Sequence, residues 1–122
     1  MNDELKNRML EATVAYLKAR DIEILETAWT CEEGTIDVIA KDEGDLVLVN
    51  VAFSTSACKG FPRENLKREE LEKLAALYLA TSEHVNVGVR FDTIGIIAVA
   101  PDRALIRHHV NALCMALPGE AN

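Results

Sequence analysis

Along the first twenty residues the apolar positions fall at helical spacing. Leu5, Met9, Ala12, Tyr16 and Ala19 recur every three or four residues, with Leu17 beside them, which predicts a helix over residues 3–19. Asp3 suits its start as an N-cap or first-turn acid. The period then drops to two. IEILETAWT alternates Ile22, Ile24 and Ala28 against polar neighbours and predicts a strand. CEEG reads as a turn, with Gly34 free to take a positive φ. TIDVIAK, residues 35–41, predicts a second strand, DEGD a turn, and LVLVNVAF, residues 46–53, a third strand. Turns this short join strands into an antiparallel meander.

Beyond the meander, STSACKGFPRENL has loop composition. Pro62 marks a boundary ahead of a second helix over residues 64–83. Leu66, Leu71, Leu74, Ala75, Tyr78 and Leu79 share one side of that helix, and Arg68, Glu69, Glu72 and Lys73 share the solvated side. HVNVGVRFDTIGIIAVA predicts a strand or a bent strand pair, with Gly88 and Gly95 as bend positions. Pro101-Asp102 resembles a helix start. It opens an expected final helix over residues 101–117, with Leu105, Ile106, His109, Leu113 and Leu117 inward. The order α-β-β-β-α-β-α predicts an α/β protein, a mixed central sheet flanked by helices.

A length of 122 residues suits a single domain that builds its core without disulfides or metals. The three cysteines, Cys31, Cys58 and Cys114, form no CxxC pair and fit reduced thiols. The polar, charged opening MNDELKNRM is no signal peptide, and no apolar run reaches membrane-spanning length. The expected location is therefore the cytoplasm. A net charge of −7 argues against strong nonspecific binding to nucleic acid, because phosphate contacts need Lys and Arg.

One residue in the third strand breaks its apolar run. Asn50 follows Val49, and Ala52 lies two positions later. Alternation places Thr35, Asp37 and Ile39 on one face of the second strand, and Leu46, Leu48, Asn50 and Ala52 on one face of the third. A hairpin brings Asp37 near Asn50. An aspartate on one strand, opposite an acid and a lysine two apart on the next, is a known arrangement for phosphodiester chemistry. The two acids hold Mg²⁺, which takes oxygen ligands, and the metal and lysine activate water and stabilise the attacked phosphate.

CEEGTIDVIAKDEGDLVLVNVAFS resembles the core of the YraN-type family, small bacterial proteins similar to Holliday-junction resolvases, whose core typically reads GEIDLIA, a short turn, then VFVEVK. Gly34, Ile36, Asp37, Ile39 and Ala40 match the first motif, and Val49 and Val51 frame the second. YLKARDIEILETAW, Lys67 with the following AALYL, and Arg90-Phe91-Asp92 extend the likeness to about residue 97. The resemblance implies a restriction-endonuclease-like fold. It also implies a site at Asp37, Asn50 and Ala52, where the family's acid of GEID is Thr35, its catalytic glutamate is Asn50 and its lysine is Ala52. One carboxylate and a neutral amide make a poor Mg²⁺ site, and Ala52 supplies neither proton nor charge. Loss of a single such donor typically costs ~10²–10³ in rate.

Three functional readings follow. One is a catalytically degenerate member of a nuclease-like family, binding DNA or a DNA-processing protein, with no cofactor. A second is an active Mg²⁺-dependent endonuclease that recruits Glu11 or Glu33 to complete a metal site with Asp37. A third is a protein-interaction module that keeps only the scaffold. The local basic cluster Lys59, Arg63, Lys67 and Arg68, with Phe61 among them, is the candidate nucleic-acid patch. Related resolvases imply a homodimer. Arg90 and Asp92 share a strand face and are expected to pair. His108 and His109, about 100° apart on a helix, are not expected to share a metal ion. Trp29 is expected to pack in the core.

Overall fold

The computed structural model describes residues 3–55, 68–81 and 88–110. In chain order these form α1 (Asp3–Ala19), β1 (Glu23–Cys31), β2 (Gly34–Asp42), β3 (Asp45–Ser54), α2 (Arg68–Thr81), β4 (Val89–Ala100) and β5 (Arg103–His109). The five strands make one mixed sheet in the order β1-β2-β3-β4-β5. β1, β2 and β3 pair antiparallel as a meander, β3 and β4 run parallel, and β4 and β5 pair antiparallel. This is the expected α/β arrangement, compatible with a nuclease-like fold.

Local chemistry accounts for the connections. α1 ends where Asp21 adopts φ 62°, with Ile22 N–H donating to Leu17 O and Asp21 N–H to Lys18 O, both at 3.0 Å. That is a Schellman cap with aspartate in the place glycine usually takes. Its buried partners Leu17 and Ile22 seal the helix end against the core. In the β2–β3 turn Glu43 and Gly44 have φ 51° and 89°, the positive pair a two-residue hairpin requires.

The sheet buries a different cluster on each face. Val38, Ala40, Val47, Val49, Ile94 and Ile96 pack with Met9 and Leu17 under α1. Ile36, Ile39, Leu46 and Leu48 pack with Leu74, Ala75 and Tyr78 under α2. Trp29 closes this second layer edge-to-face on Tyr78, at 5.4 Å between ring centroids. Burial and a hydrogen bond to Glu26 push the Tyr78 phenol up to about 12.

The chain departs from the expected order after residue 100. The expected final helix does not form over residues 103–109. That stretch is β5, joined to β4 through Pro101-Asp102, and Ala100 pairs with Arg103. Ile106 and His108 turn inward while Leu105, Arg107 and His109 are exposed, a period of two rather than 3.6. Leu113 and Leu117 lie outside the described residues. β4 also runs unbroken through Gly95, which pairs with Ala52 on one side and Arg107 on the other, so no bend occurs there.

β5 brings His108 to a buried polar chain beneath α1. Asp92, fully buried on β4, accepts from Arg90 Nε at 2.9 Å and Nη2 at 3.0 Å, confirming the expected pair. Its Oδ2 lies 2.8 Å from His108 Nε2, and His108 Nδ1 lies 3.2 Å from the Tyr16 hydroxyl. Arg90 also donates to Asp42 at 3.0 Å. A buried carboxylate is costly unless its oxygens are matched, and here guanidinium and imidazole match them. The chain thereby ties the ends of β2, β4 and β5 to α1. Asp92→Ala leaves His108 without its carboxylate and Arg90 with Asp42 alone, and is expected to cost about 3–5 kcal/mol in urea unfolding. A loss under 1 kcal/mol would show that the network contributes little.

Candidate functional site

The β2–β3 ladder stops at Val38↔Val49. Past that point β2 stays paired with β1 as far as Gly34, while β3 stays paired with β4 as far as Ser54. The two central strands therefore part company, and the sheet forks. Asp37 stands in the crotch. Its Oδ2 accepts the Val51 N–H at 2.7 Å, taking the place of the lost backbone partner. Continuing the register would set Asp37 across from Asn50, so the strands bring positions 37 and 50 together as the sequence predicts.

The faces differ from that prediction. Ile36 packs under α2 and Val38 under α1, so the alternation of β2 breaks at Asp37. The β1–β2 pairing passes over the facing pair Ala28 and Asp37, and Ala28 takes φ 52°, a left-handed value costly for a residue with a Cβ. This irregularity turns Asp37 and Thr35 to the α1 side, away from Ile39, which stays under α2. β3 keeps its alternation. Val51 and Phe53 pack on the α1 side, which puts Asn50 and Ala52 on the other. Asn50 is half-buried and makes no side-chain hydrogen bond among the described residues.

A cavity of about 380 Å³ fills the fork beneath the first half of α1. Met9, Leu10, Ala28, Val51 and Phe53 form its apolar walls, and Lys6, Asn7, Thr35 and Asp37 its polar ones. Asn50 and Ala52 do not line it. Among the described residues Asp37 is its sole carboxylate, and Oδ1 has no partner among them. Burial pushes the Asp37 carboxyl above its ordinary range, and the Val51 N–H and the charge of Lys6 oppose that rise. The Thr35 hydroxyl is shared with Thr30 at 3.0 Å.

The replacement acids do not reach this cavity. Glu33 pairs with Lys73 of α2 at 3.1 Å, and Glu11 is exposed on α1 beside a second, shallower depression. No group of three or more His, Cys, Asp or Glu residues among the described residues could hold a metal ion. Mg²⁺ prefers about six oxygen ligands including one or two carboxylates. Here one carboxylate, already engaged by an amide and facing a lysine, is offered with a neutral amide and a committed hydroxyl. The donor set does not fit the ion.

Of the candidate nucleic-acid patch, Lys59, Arg63 and Lys67 lie outside the described residues, as does Phe61. Arg68 opens α2. No sequence signal pointed to the cavity itself. Lys6, Leu10 and Phe53 read only as helix and strand positions, and the break in alternation at Asp37 has no local signature except the adjacency of an acid to a buried valine.

Comparison with known proteins supports the resemblance. Residues 11–96 match the model of the Uncharacterised protein family UPF0102, which is the YraN family. A UPF0102 protein of Geobacter sulfurreducens is 30% identical over 109 residues, covering 87% of this chain and 85% of its own. One from Chlorobaculum parvum is 35% identical over 97 residues, covering 77% and 75%. A third, from Geobacter metallireducens, is 30% identical over 118 residues, covering 94% and 96%.

The raised Asp37 carboxyl has a consequence for stability. A carboxyl easier to protonate when folded favours the fold below its ordinary value, about 3.9, and loses that advantage as pH rises through the raised value. Asp37→Asn keeps an oxygen for the Val51 N–H without the charge. It is expected to raise the midpoint of thermal unfolding at pH 7 and to leave it unchanged at pH 3. Equal midpoints at both pH values would contradict this.

Proposed function

The chain belongs to the uncharacterised protein family UPF0102, and from that premise we propose that it is a catalytically degenerate, nuclease-like protein that binds nucleic acid without cutting it. The observation that carries this reading is the solitary carboxylate of the fork. Asp37 keeps the position that the family resemblance assigns to a metal-binding acid. Asn50 and Ala52 stand where the resemblance implies glutamate and lysine, and neither supplies a charge. In-line attack on a phosphodiester needs a cation at the developing negative charge and a base or metal-activated water. Neither is furnished by an acid already hydrogen-bonded to its own backbone. Phosphate contacts would come from Lys59, Arg63, Lys67 and Arg68, beyond the end of β3, working against the acidic balance of the chain. Binding would then be weak and strongly salt-dependent. A DNA-processing protein as partner and a homodimeric state accord with the same reading.

Purified protein with Mg²⁺ or Mn²⁺ is expected to leave branched, duplex and single-stranded DNA intact. Metal-dependent cleavage that disappears in Asp37→Ala would overturn the assignment. In fluorescence anisotropy at low salt, Lys67→Glu is expected to weaken DNA binding several-fold and to flatten its salt slope by about one. A response indifferent to both salt and substitution would remove the basic cluster from the account.

A further inference from the structure

The fork cavity has a chemistry of its own. A phosphate cannot settle on the Asp37 carboxylate without a metal between them, because the two anions repel in an apolar surround. A cation gains from Asp37 but meets Lys6 in the same lining. A neutral group with N–H donors meets neither objection, and Oδ1 of Asp37 is an acceptor with no partner among the described residues. The walls ask for an apolar or flat body, and among the described residues Phe53 gives the lining its aromatic ring. The volume, about 380 Å³, lies near the lower end of the ~300–1,000 Å³ typical of small-molecule sites. The left-handed backbone at Ala28 lies in the same wall, and such strain persists where surroundings over-determine it.

We propose that this cavity receives a single unpaired nucleobase, guanine in preference to the others, with its N–H edge donated to Asp37 and its ring set against Phe53. Guanine presents two adjacent N–H donors on its pairing edge; Oδ1 of Asp37 accepts one, and Oδ2, which the Val51 N–H engages through one lone pair, accepts the other through its second. Adenine and cytosine present one N–H group beside an acceptor, which a carboxylate repels. Stacking on an aromatic ring and reading of the pairing edge are how proteins hold an unstacked base. Lys6, exposed at the start of α1, stands where the attached backbone phosphate would leave the cavity. The inference rests on the nucleic-acid reading above and assigns it a point of base recognition.

The test is a titration of the full chain with guanosine, adenosine and cytidine, followed by amide NMR shifts, alongside guanine-containing and guanine-free single-stranded oligonucleotides. Guanosine is expected to shift the amides of Leu10, Ala28, Val51 and Phe53, and adenosine and cytidine to do so at least tenfold more weakly. Asp37→Asn should weaken guanosine about tenfold, as loss of a charge-assisted hydrogen bond does. Phe53→Leu, which keeps an apolar side chain, should weaken all three nucleosides alike. A nucleoside response that is absent, equal for all bases, or unchanged in Asp37→Asn overturns the proposal. If oligonucleotides bind while nucleosides leave these amides unmoved, base recognition fails and the nucleic-acid reading stands. If neither binds, both fail.

Discussion

One hydrogen bond organises the centre of this protein. Where β2 and β3 separate, the Val51 N–H loses its strand partner, and an unpaired amide at that depth would cost about 1–3 kcal/mol. Asp37 supplies the missing acceptor from its side chain at 2.7 Å. The sheet can then fork without leaving that amide unsatisfied, and β2 and β3 can follow different partners, β1 and β4. The cavity exists because the fork exists. The same bond that permits the opening also occupies one oxygen of the Asp37 carboxylate inside it.

The rest of the molecule holds the fork open. α1 roofs the cavity through Met9 and Leu10 and is pinned at its other end by the Schellman cap and by Tyr16 on His108. Asp92 anchors that second point with Arg90, and Arg90 reaches Asp42 at the far end of β2. α2 covers part of the opposite face with Leu74, Ala75 and Tyr78.

Much of this frame was legible in the sequence because its signals are local. Alternating apolar runs separated by CEEG and DEGD specify the meander. Arg90 and Asp92, two apart on a strand, had to share a face. The last strand was not legible as a strand. Leu105, Ile106 and His109 satisfy helical spacing as well as their own alternation, and only pairing with β4, a long-range event, decides between the two. The proximity of positions 37 and 50 was readable from the hairpin. Their separation onto opposite sides of the sheet was not, because it depends on an irregularity shared between Ala28 and Asp37 on two strands. The family likeness pointed to Asp37, and the geometry of the fork determined what surrounds it.

The central proposal is that Asp37, one oxygen of which the Val51 amide already holds, takes no divalent ion. Titrating Mn²⁺ into isotopically labelled protein and following amide line widths tests it directly. Without a bound ion, the resonances of Val51, Ala28 and Thr35 should broaden no more than those of exposed residues carrying acidic side chains, such as Glu11 and Glu69. Selective, saturable broadening of Val51 and its neighbours, removed by Asp37→Asn, would contradict the account.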